Sequence, residues 1–206
     1  MSLIVNVRGT SGSGKSTTAK QILERYDYEP LFEPGFGRKR RSPIAYQVEG
    51  GLFILGRYVN GATIGCDGLH VEVVHEMIQH WAPQGHVFCE GLSLSTSGLG
   101  RWTTLNEWLV ERGHSMTIGF LDTTAEQCIA NIYERRKIRG GPGGQDDKPL
   151  KTEAIHEHWG GVRRQRERCL EAGLNVEDLH FGSQSETVQG WFRDAGWSPK
   201  AAAGGN

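Results

Sequence analysis

Apolar positions along this chain follow two periods that take turns. Leu3-Ile-Val-Asn-Val7 is an apolar, β-branched run of strand length. Behind it Ala19, Ile22 and Leu23 are spaced for one face of a helix. Residues 28–33 suit a short strand. Residues 44–48 and 52–59, either side of Glu-Gly-Gly, predict a hairpin around a tight turn. Val73, Val74, Met77, Ile78 and Trp81 predict a helix over 69–81. A short buried strand is expected over 85–91, a helix over 103–114, a strand over 115–122 and a helix ending in arginines over 124–139. Residues 150–173 read as a helix that could break at Gly160-Gly161, followed by a last strand over 174–181 and a last helix over 185–196. Strands alternating with helices predict an α/β fold with a mainly parallel central sheet.

Length and composition narrow this picture only a little. The 206 residues suit one domain, expected over 1–195, with 196–206 as a flexible tail. Formal net charge is -1, so a polyanionic partner would have to be met by local patches. The 29 glycines are about twice the usual share and fall in clusters, which points to working loops. Cys66, Cys89, Cys128 and Cys169 show no CxxC spacing, and the histidines complete no zinc pattern. Reduced, buried thiols in a cytoplasmic protein are expected. No apolar run approaches a membrane span, and the amino end lacks the architecture of a secretory leader.

The first strand runs into Gly9, Thr10, Ser11, Gly12, Ser13, Gly14, Lys15, Ser16 and Thr17, which satisfies G-x-x-x-x-G-K-[ST]. Strand, glycine loop and helix are the context in which successive backbone N–H groups curl around phosphate oxygens. The helix N-terminus adds partial positive charge. Lys15 is expected to reach the β- and γ-phosphates of a nucleoside triphosphate, and the Ser16 hydroxyl to ligate Mg²⁺. A dinucleotide fingerprint fits worse, because its third glycine would fall on Thr17.

The loop alone does not separate kinases, GTPases and motors. The guanine-reading Asn-Lys-x-Asp is absent, and the strand end Val87-Phe-Cys-Glu-Gly91 carries one acid followed by glycine rather than Asp-Glu. A small kinase needs a carboxylate beside the acceptor hydroxyl and a cationic lid. Asp67, in the glycine-flanked stretch Gly-Cys-Asp-Gly-Leu-His70, is the candidate base, with a helix N-cap as its plainer role. Arg135 and Arg139 share a helix face with Arg136 beside them, ahead of a Gly/Pro-rich run. This suits a lid over about 135–150, or else a solvated basic helix end. Glu90 is a second acid, able to hold Mg²⁺ through water, as Asp67 is, or to bind substrate. Cys66 and Cys89 read as small core fillers.

With "GTSGSGKST", "GCDGLH", "FCEG" and "ERRKIRGG" in place, the chain resembles the P-loop kinases of the adenylate-kinase-like and polynucleotide-kinase-like superfamily. Through "FILGRYVNGATIGCDGLH" and the lid it is similar, more narrowly, to the phage-encoded 5-hydroxymethyluracil DNA kinases, over about residues 1–195. The resemblance implies a three-layer P-loop NTPase fold with helices on both faces of the sheet, a small lid and a β-hairpin insertion within about 35–59. It implies ATP and Mg²⁺ as cofactors and the 5-hydroxymethyl group of a base in phage DNA as acceptor. It also implies that Asp67 acts as base toward the acceptor hydroxyl.

For DNA the sequence offers two basic clusters. Arg38, Lys39, Arg40 and Arg41 lie in a turn bounded by glycine and proline. Arg163, Arg164, Arg166 and Arg168 lie on a helix that also carries Glu157, Glu167 and Glu171. Phe36, Tyr58 and Trp102 are aromatics that could stack on a base, or simply pack. Two other functions stay open at this level: a kinase of a small free metabolite (nucleoside, nucleotide or sugar acid), and a nucleotide-switched DNA-binding ATPase module.

Overall fold

The structure is a computed structural model that describes residues 1–32, 43–58, 65–66, 69–91, 96–139 and 149–200. Its seven strands are β1 (Leu3–Arg8), β2 (Tyr28–Leu31), β3 (Ala45–Val48), β4 (Leu52–Leu55), β5 (His86–Glu90), β6 (Ser115–Leu121) and β7 (Val176–Leu179). Its six helices are α1 (Lys15–Arg25), α2 (Val71–Trp81), α3 (Thr96–Glu111), α4 (Ala125–Arg139), α5 (Thr152–Glu171) and α6 (Gln184–Asp194). The strands form one sheet in the order β2-β3-β4-β5-β1-β6-β7. Strands β4, β5, β1, β6 and β7 are parallel, and β2 and β3 extend that sheet antiparallel at one edge.

All six residues of β1 are buried, because it sits mid-sheet with helices on both faces. Leu3, Val5 and Val7 pack with Ala19, Ile22 and Leu23 of α1 and Val188 and Phe192 of α6. Ile4 faces the other way, into a core with Val74, Met77, Ile78 and Trp81 of α2, Leu105 and Leu109 of α3, and Val162 and Cys169 of α5. The alternation of a strand puts Asn6 and Arg8 on this second face as well, and Asn6 Nδ2 donates to Cys89 Sγ at 3.0 Å. Chain order reverses at β1, whose neighbours β5 and β6 both run parallel to it. Such a switch point opens a crevice beyond the carboxyl ends of the strands.

The hairpin is built into the sheet: β3 pairs with β4 antiparallel, and β4 then pairs with β5 in parallel. Its turn is tied to the far end of the chain, where Trp197 Nε1 donates to the Glu49 carbonyl at 2.9 Å. Two elements differ from the sequence pattern. The helix expected from 103 begins at Thr96. The break considered at Gly160-Gly161 does not occur: α5 is continuous from Thr152 to Glu171. Two interior glycines cost about 1 kcal/mol each, but Ile155, Val162 and Cys169 give α5 a buried stripe that offsets this. The Arg164 guanidinium lies back over both glycines, 3.5 Å from where a β-carbon on Gly160 would stand. Among the described residues no helix is long and apolar enough to cross a membrane.

Trp197 is 2% exposed and packs edge-on against Tyr26, ring centroids 5.0 Å apart. Trp197→Ala is expected to lower unfolding free energy by about 3–5 kcal/mol in urea titration. Trp197→Phe, which forfeits chiefly the bond to Glu49, is expected to cost about 1–2 kcal/mol.

Candidate functional site

The glycine loop leaves β1 at the switch point and ends in α1, whose first residues are Lys15, Ser16 and Thr17. Gly14 caps the helix at φ 105°, a left-handed conformation that other residues rarely adopt, and its carbonyl accepts from the Thr17 and Thr18 amides at 3.0 and 3.2 Å. The loop is held from behind. Thr123 Oγ1 donates to the Ser13 carbonyl at 2.9 Å, and Asn131 Nδ2 to the Gly12 carbonyl at 2.8 Å. Gly12, at φ 85°, lies so close to α4 that a β-carbon would run into the Cys128 carbonyl and stand 2.9 Å from Ile132. Trp159 of α5 buttresses the same corner through Nε1 to the Thr123 carbonyl, at 2.9 Å. The Ser13 amide, on the same peptide plane as the Gly12 carbonyl, donates within the loop to the Thr10 carbonyl at 3.1 Å, so the loop is tied from inside as well as from behind.

Lys15 folds back over the loop, Nζ donating to the carbonyls of Gly9 at 2.8 Å and Thr10 at 3.1 Å. The Ser16 hydroxyl donates to Glu90 Oε1 at 2.7 Å. Parallel pairing sets Val7 beside Glu90, so the acid ends its strand level with the start of the loop. Glu90 is 3% exposed and so belongs to the site's interior rather than to a surface strand end. Burial first, and the negative charge of Glu90 second, hold the Tyr58 phenol well above its usual pKa, so it keeps its proton and donates it to the Leu55 carbonyl at 3.0 Å. Gly65 lies against the Glu90 carboxylate so closely that a β-carbon would strike Oε1. Ser16 and Glu90 supply hard oxygen donors, which suit Mg²⁺, an ion that takes one or two protein ligands and fills its remaining positions with water and phosphate oxygens. Among the described residues no group of three or more His, Cys, Asp or Glu side chains could hold a metal by itself.

The loop opens into a cleft of about 1130 Å³. Leu69 to Glu72 form one wall, Asn131 and Arg135 of α4 with His158, Val162 and Gln165 of α5 another, and Phe181 with Gln184 a third. Of the residues predicted from the glycine motif, Gly9, Ser11, Gly12, Gly14, Lys15, Ser16 and Thr17 line this cleft with Arg135; Thr10 and Ser13 are buried behind it, and Glu90 meets it through Ser16. The side chains of Arg139, Asp67, Arg38, Lys39, Arg40, Arg41 and Phe36 lie outside the described residues. Cys66 and Leu69, on either side of 67–68, are joined by a backbone bond of 2.9 Å from Leu69 N–H to the Cys66 carbonyl. Tyr58 and Trp102 are core residues, 4% and 0% exposed, and offer no open face to a base. Burial pushes the Cys89 thiol up to about 11, against a weaker opposing pull from Asn6, so it stays protonated as a core filler. In the second basic cluster Arg166 forms a forked pair with Asp178, both bonds 2.7 Å, and Arg163 lies over the Trp159 ring at 4.3 Å.

Two cleft residues escaped the sequence reading. Phe181, 45% exposed, follows β7; its ring lies 3.7 Å from where a β-carbon on Gly14 would stand. Asp122 pins this turn by accepting from the Phe181 amide at 2.9 Å and pairing with His180 at 2.6 Å. The signal available was an aromatic just past the carboxyl end of a parallel strand, where ligands of such sheets sit. The other is Arg8, the residue before the loop.

Fold and loop together define an α/β protein with a glycine loop that opens into a cleft at the carboxyl end of its central strand. Among known proteins no family model matches the chain. It is 32% identical over 158 residues, 73% of its own length and 78% of the relative's, to the 5-hmdU DNA kinase of Pseudomonas phage PaMx11. It is 28% identical over 200 residues, 93% and 98% of the two lengths, to the 5-hmdU DNA kinase of Pseudomonas phage M6. The chain belongs to this family of phage 5-hmdU DNA kinases.

Gly65 sits at φ 56° against the acid, so Gly65→Ala is expected to force Glu90 off Ser16. Isothermal titration should show Mg²⁺-dependent nucleotide binding weakened about tenfold, with metal-free nucleotide binding changed far less.

Proposed function

We propose that this protein is an ATP-dependent, Mg²⁺-requiring kinase of P-loop type. It transfers the γ-phosphoryl to the 5-hydroxymethyl group of 5-hydroxymethyluracil in DNA. The observation that carries this reading is the Ser16–Glu90 hydrogen bond of 2.7 Å at the mouth of the glycine loop. It joins a hydroxyl to a buried carboxylate, two hard oxygen donors beside the loop, and this supports a phosphate-bound cation held there. The strand order β4-β5-β1-β6-β7 supports the same reading, since it puts the acid on the strand next to the loop strand. The names of the two phage relatives supply the acceptor.

In this mechanism ATP lies on the Gly9–Ser16 loop with its phosphates at the start of α1, and Lys15 swings from the Gly9 and Thr10 carbonyls onto the β- and γ-oxygens. Ser16, and Glu90 through water, would hold Mg²⁺, which would supply charge neutralisation on the phosphates. Arg135 approaches the transferring group from α4, with Arg136 and Arg139 of the same helix. Phe181 carries the nucleotide base. Asp67 orients the acceptor hydroxyl and takes its proton as the oxygen bonds to the γ-phosphorus and the bond to the β–γ bridging oxygen breaks. The turn at 38–41 supplies cations for the DNA backbone.

The test offers γ-labelled ATP with DNA carrying 5-hydroxymethyluracil, with thymine DNA and with free 5-hydroxymethyldeoxyuridine. Label is expected in the modified DNA alone. Label confined to the free nucleoside, or release of inorganic phosphate without a labelled acceptor, overturns the reading. Lys15→Ala is expected to lose at least about 100-fold in transfer and to bind ATP poorly. Asp67→Asn is expected to lose about 100-fold in turnover while ATP binds nearly as well as to the wild type.

A further inference from the structure

Gln184 opens α6 and is 3% exposed, yet it lines the cleft. A buried amide needs partners for both of its ends. Its Oε1 accepts from the Gly182 amide at 2.6 Å, a bond that closes the turn between β7 and α6. An N–H requires an oxygen opposite it, so this bond fixes which end of the amide is which. Nε2, the other end, lies 3.3 Å from where a β-carbon on Gly14 would stand. It makes no hydrogen bond to another of the described residues.

The Phe181 ring converges on the same spot. Two of its carbons lie 3.7 and 3.9 Å from that position over Gly14, and 45% of the residue stays exposed. Its backbone holds it there, the amide donating to Asp122 Oδ1 at 2.9 Å while Asp122 Oδ2 pairs with His180. The next free amide of the turn is engaged too, Ser183 N–H donating to the His180 carbonyl at 3.2 Å. A half-exposed ring and a fixed N–H donor thus stand together on the cleft wall where α1 begins. Neither side chain is charged, so this wall does not suit a phosphate. It suits a flat heterocycle that stacks on the ring and carries acceptor atoms on its rim.

Adenine is such a heterocycle. Its ring nitrogens N1, N3 and N7 accept, and its exocyclic amino group donates. With Oε1 committed to Gly182, Gln184 has only N–H groups to offer, so it reads a ring nitrogen and not the amino group. We propose that Gln184 is the side chain that orients the nucleotide base: the purine stacks on Phe181, and Gln184 Nε2 donates to one of its ring nitrogens. This rests on the P-loop kinase reading above and deepens it by naming the residue that reads the base. The Gly182 bond holds the amide before a nucleotide arrives, so the donor is preorganised. A purine with carbon in place of that nitrogen would leave the buried N–H facing no acceptor, which is the costly case.

The experiment titrates ATP, its 1-, 3- and 7-deaza analogues and inorganic tripolyphosphate, each with Mg²⁺, into the full chain and into Gln184→Met, Gln184→Glu and Phe181→Ala. Tripolyphosphate fills the loop without a base. The wild type is expected to bind ATP at least about tenfold more tightly than tripolyphosphate, and one deaza analogue about tenfold more weakly than ATP. Gln184→Met should bind that analogue and ATP alike. Gln184→Glu keeps an oxygen for the Gly182 amide and removes the donor, so it should lose the same distinction, and it decides if Gln184→Met fails to fold. Phe181→Ala is expected to lower ATP affinity about tenfold or more while tripolyphosphate binds as it does to the wild type. A wild type that binds all three analogues as tightly as ATP, or Gln184 variants that still discriminate as the wild type does, overturn the assignment and leave the phosphate site standing. A wild type that binds neither ATP nor tripolyphosphate overturns both.

Discussion

Ser16 and Glu90 are 74 residues apart in sequence and 2.7 Å apart in space, and the parallel pairing of β1 with β5 is what joins them. That pairing fixes Val7 beside Glu90, so the acid emerges level with the loop that carries Ser16. Everything that makes the cleft chemically able follows from holding this register. It holds because both strands are fully buried, and a slip by one residue would send every side chain to the opposite face. The loop then needs a fixed shape, which α4 and the Thr123 turn impose from behind through the carbonyls of Gly12 and Ser13. A loop held in this way has little further order to lose, and preorganisation of that kind is what the proposed phosphate binding calls for.

The two faces of the sheet carry different work. On the α1 face the strand ends deliver the lysine, hydroxyl and carboxylate that suit a phosphate and a cation. On the α2, α3 and α5 face the central strand delivers Arg8, whose guanidinium lies over the Trp102 ring of α3, with His75 of α2 edge-on to the same ring. One central strand feeds both, since successive residues point to opposite sides. Val7 anchors the first core while Arg8, the next residue, enters the second.

Much of this was legible in the sequence wherever the information is local. The β1–loop–α1 unit is written in a continuous apolar run, a glycine motif and a helical spacing, and the hairpin in two apolar runs around Glu-Gly-Gly. What was not legible depends on residues distant in the chain. Glu90 reads as an acid at a strand end, and only the β1–β5 register reveals its burial. Arg8 reads as the polar end of a strand until α2 and α3 close over it. Phe181 becomes part of the cleft only because β7 places it beside Gly14. The glycine pair in α5 is locally unfavourable for a helix, and a buried stripe overrides it. The first turns of α3 lack an apolar period, so only the structure extends that helix back to Thr96.

The most direct measurement is a crystal structure with Mg²⁺ and a non-hydrolysable ATP analogue bound. Lys15 Nζ should have left the Gly9 and Thr10 carbonyls for the β- and γ-phosphates. The Ser16 hydroxyl should have exchanged Glu90 for the metal, and Glu90 should reach that metal through water. A nucleotide bound elsewhere, with Lys15 still on its loop carbonyls and Ser16 still on Glu90, would contradict the phosphate site on which the whole functional reading stands.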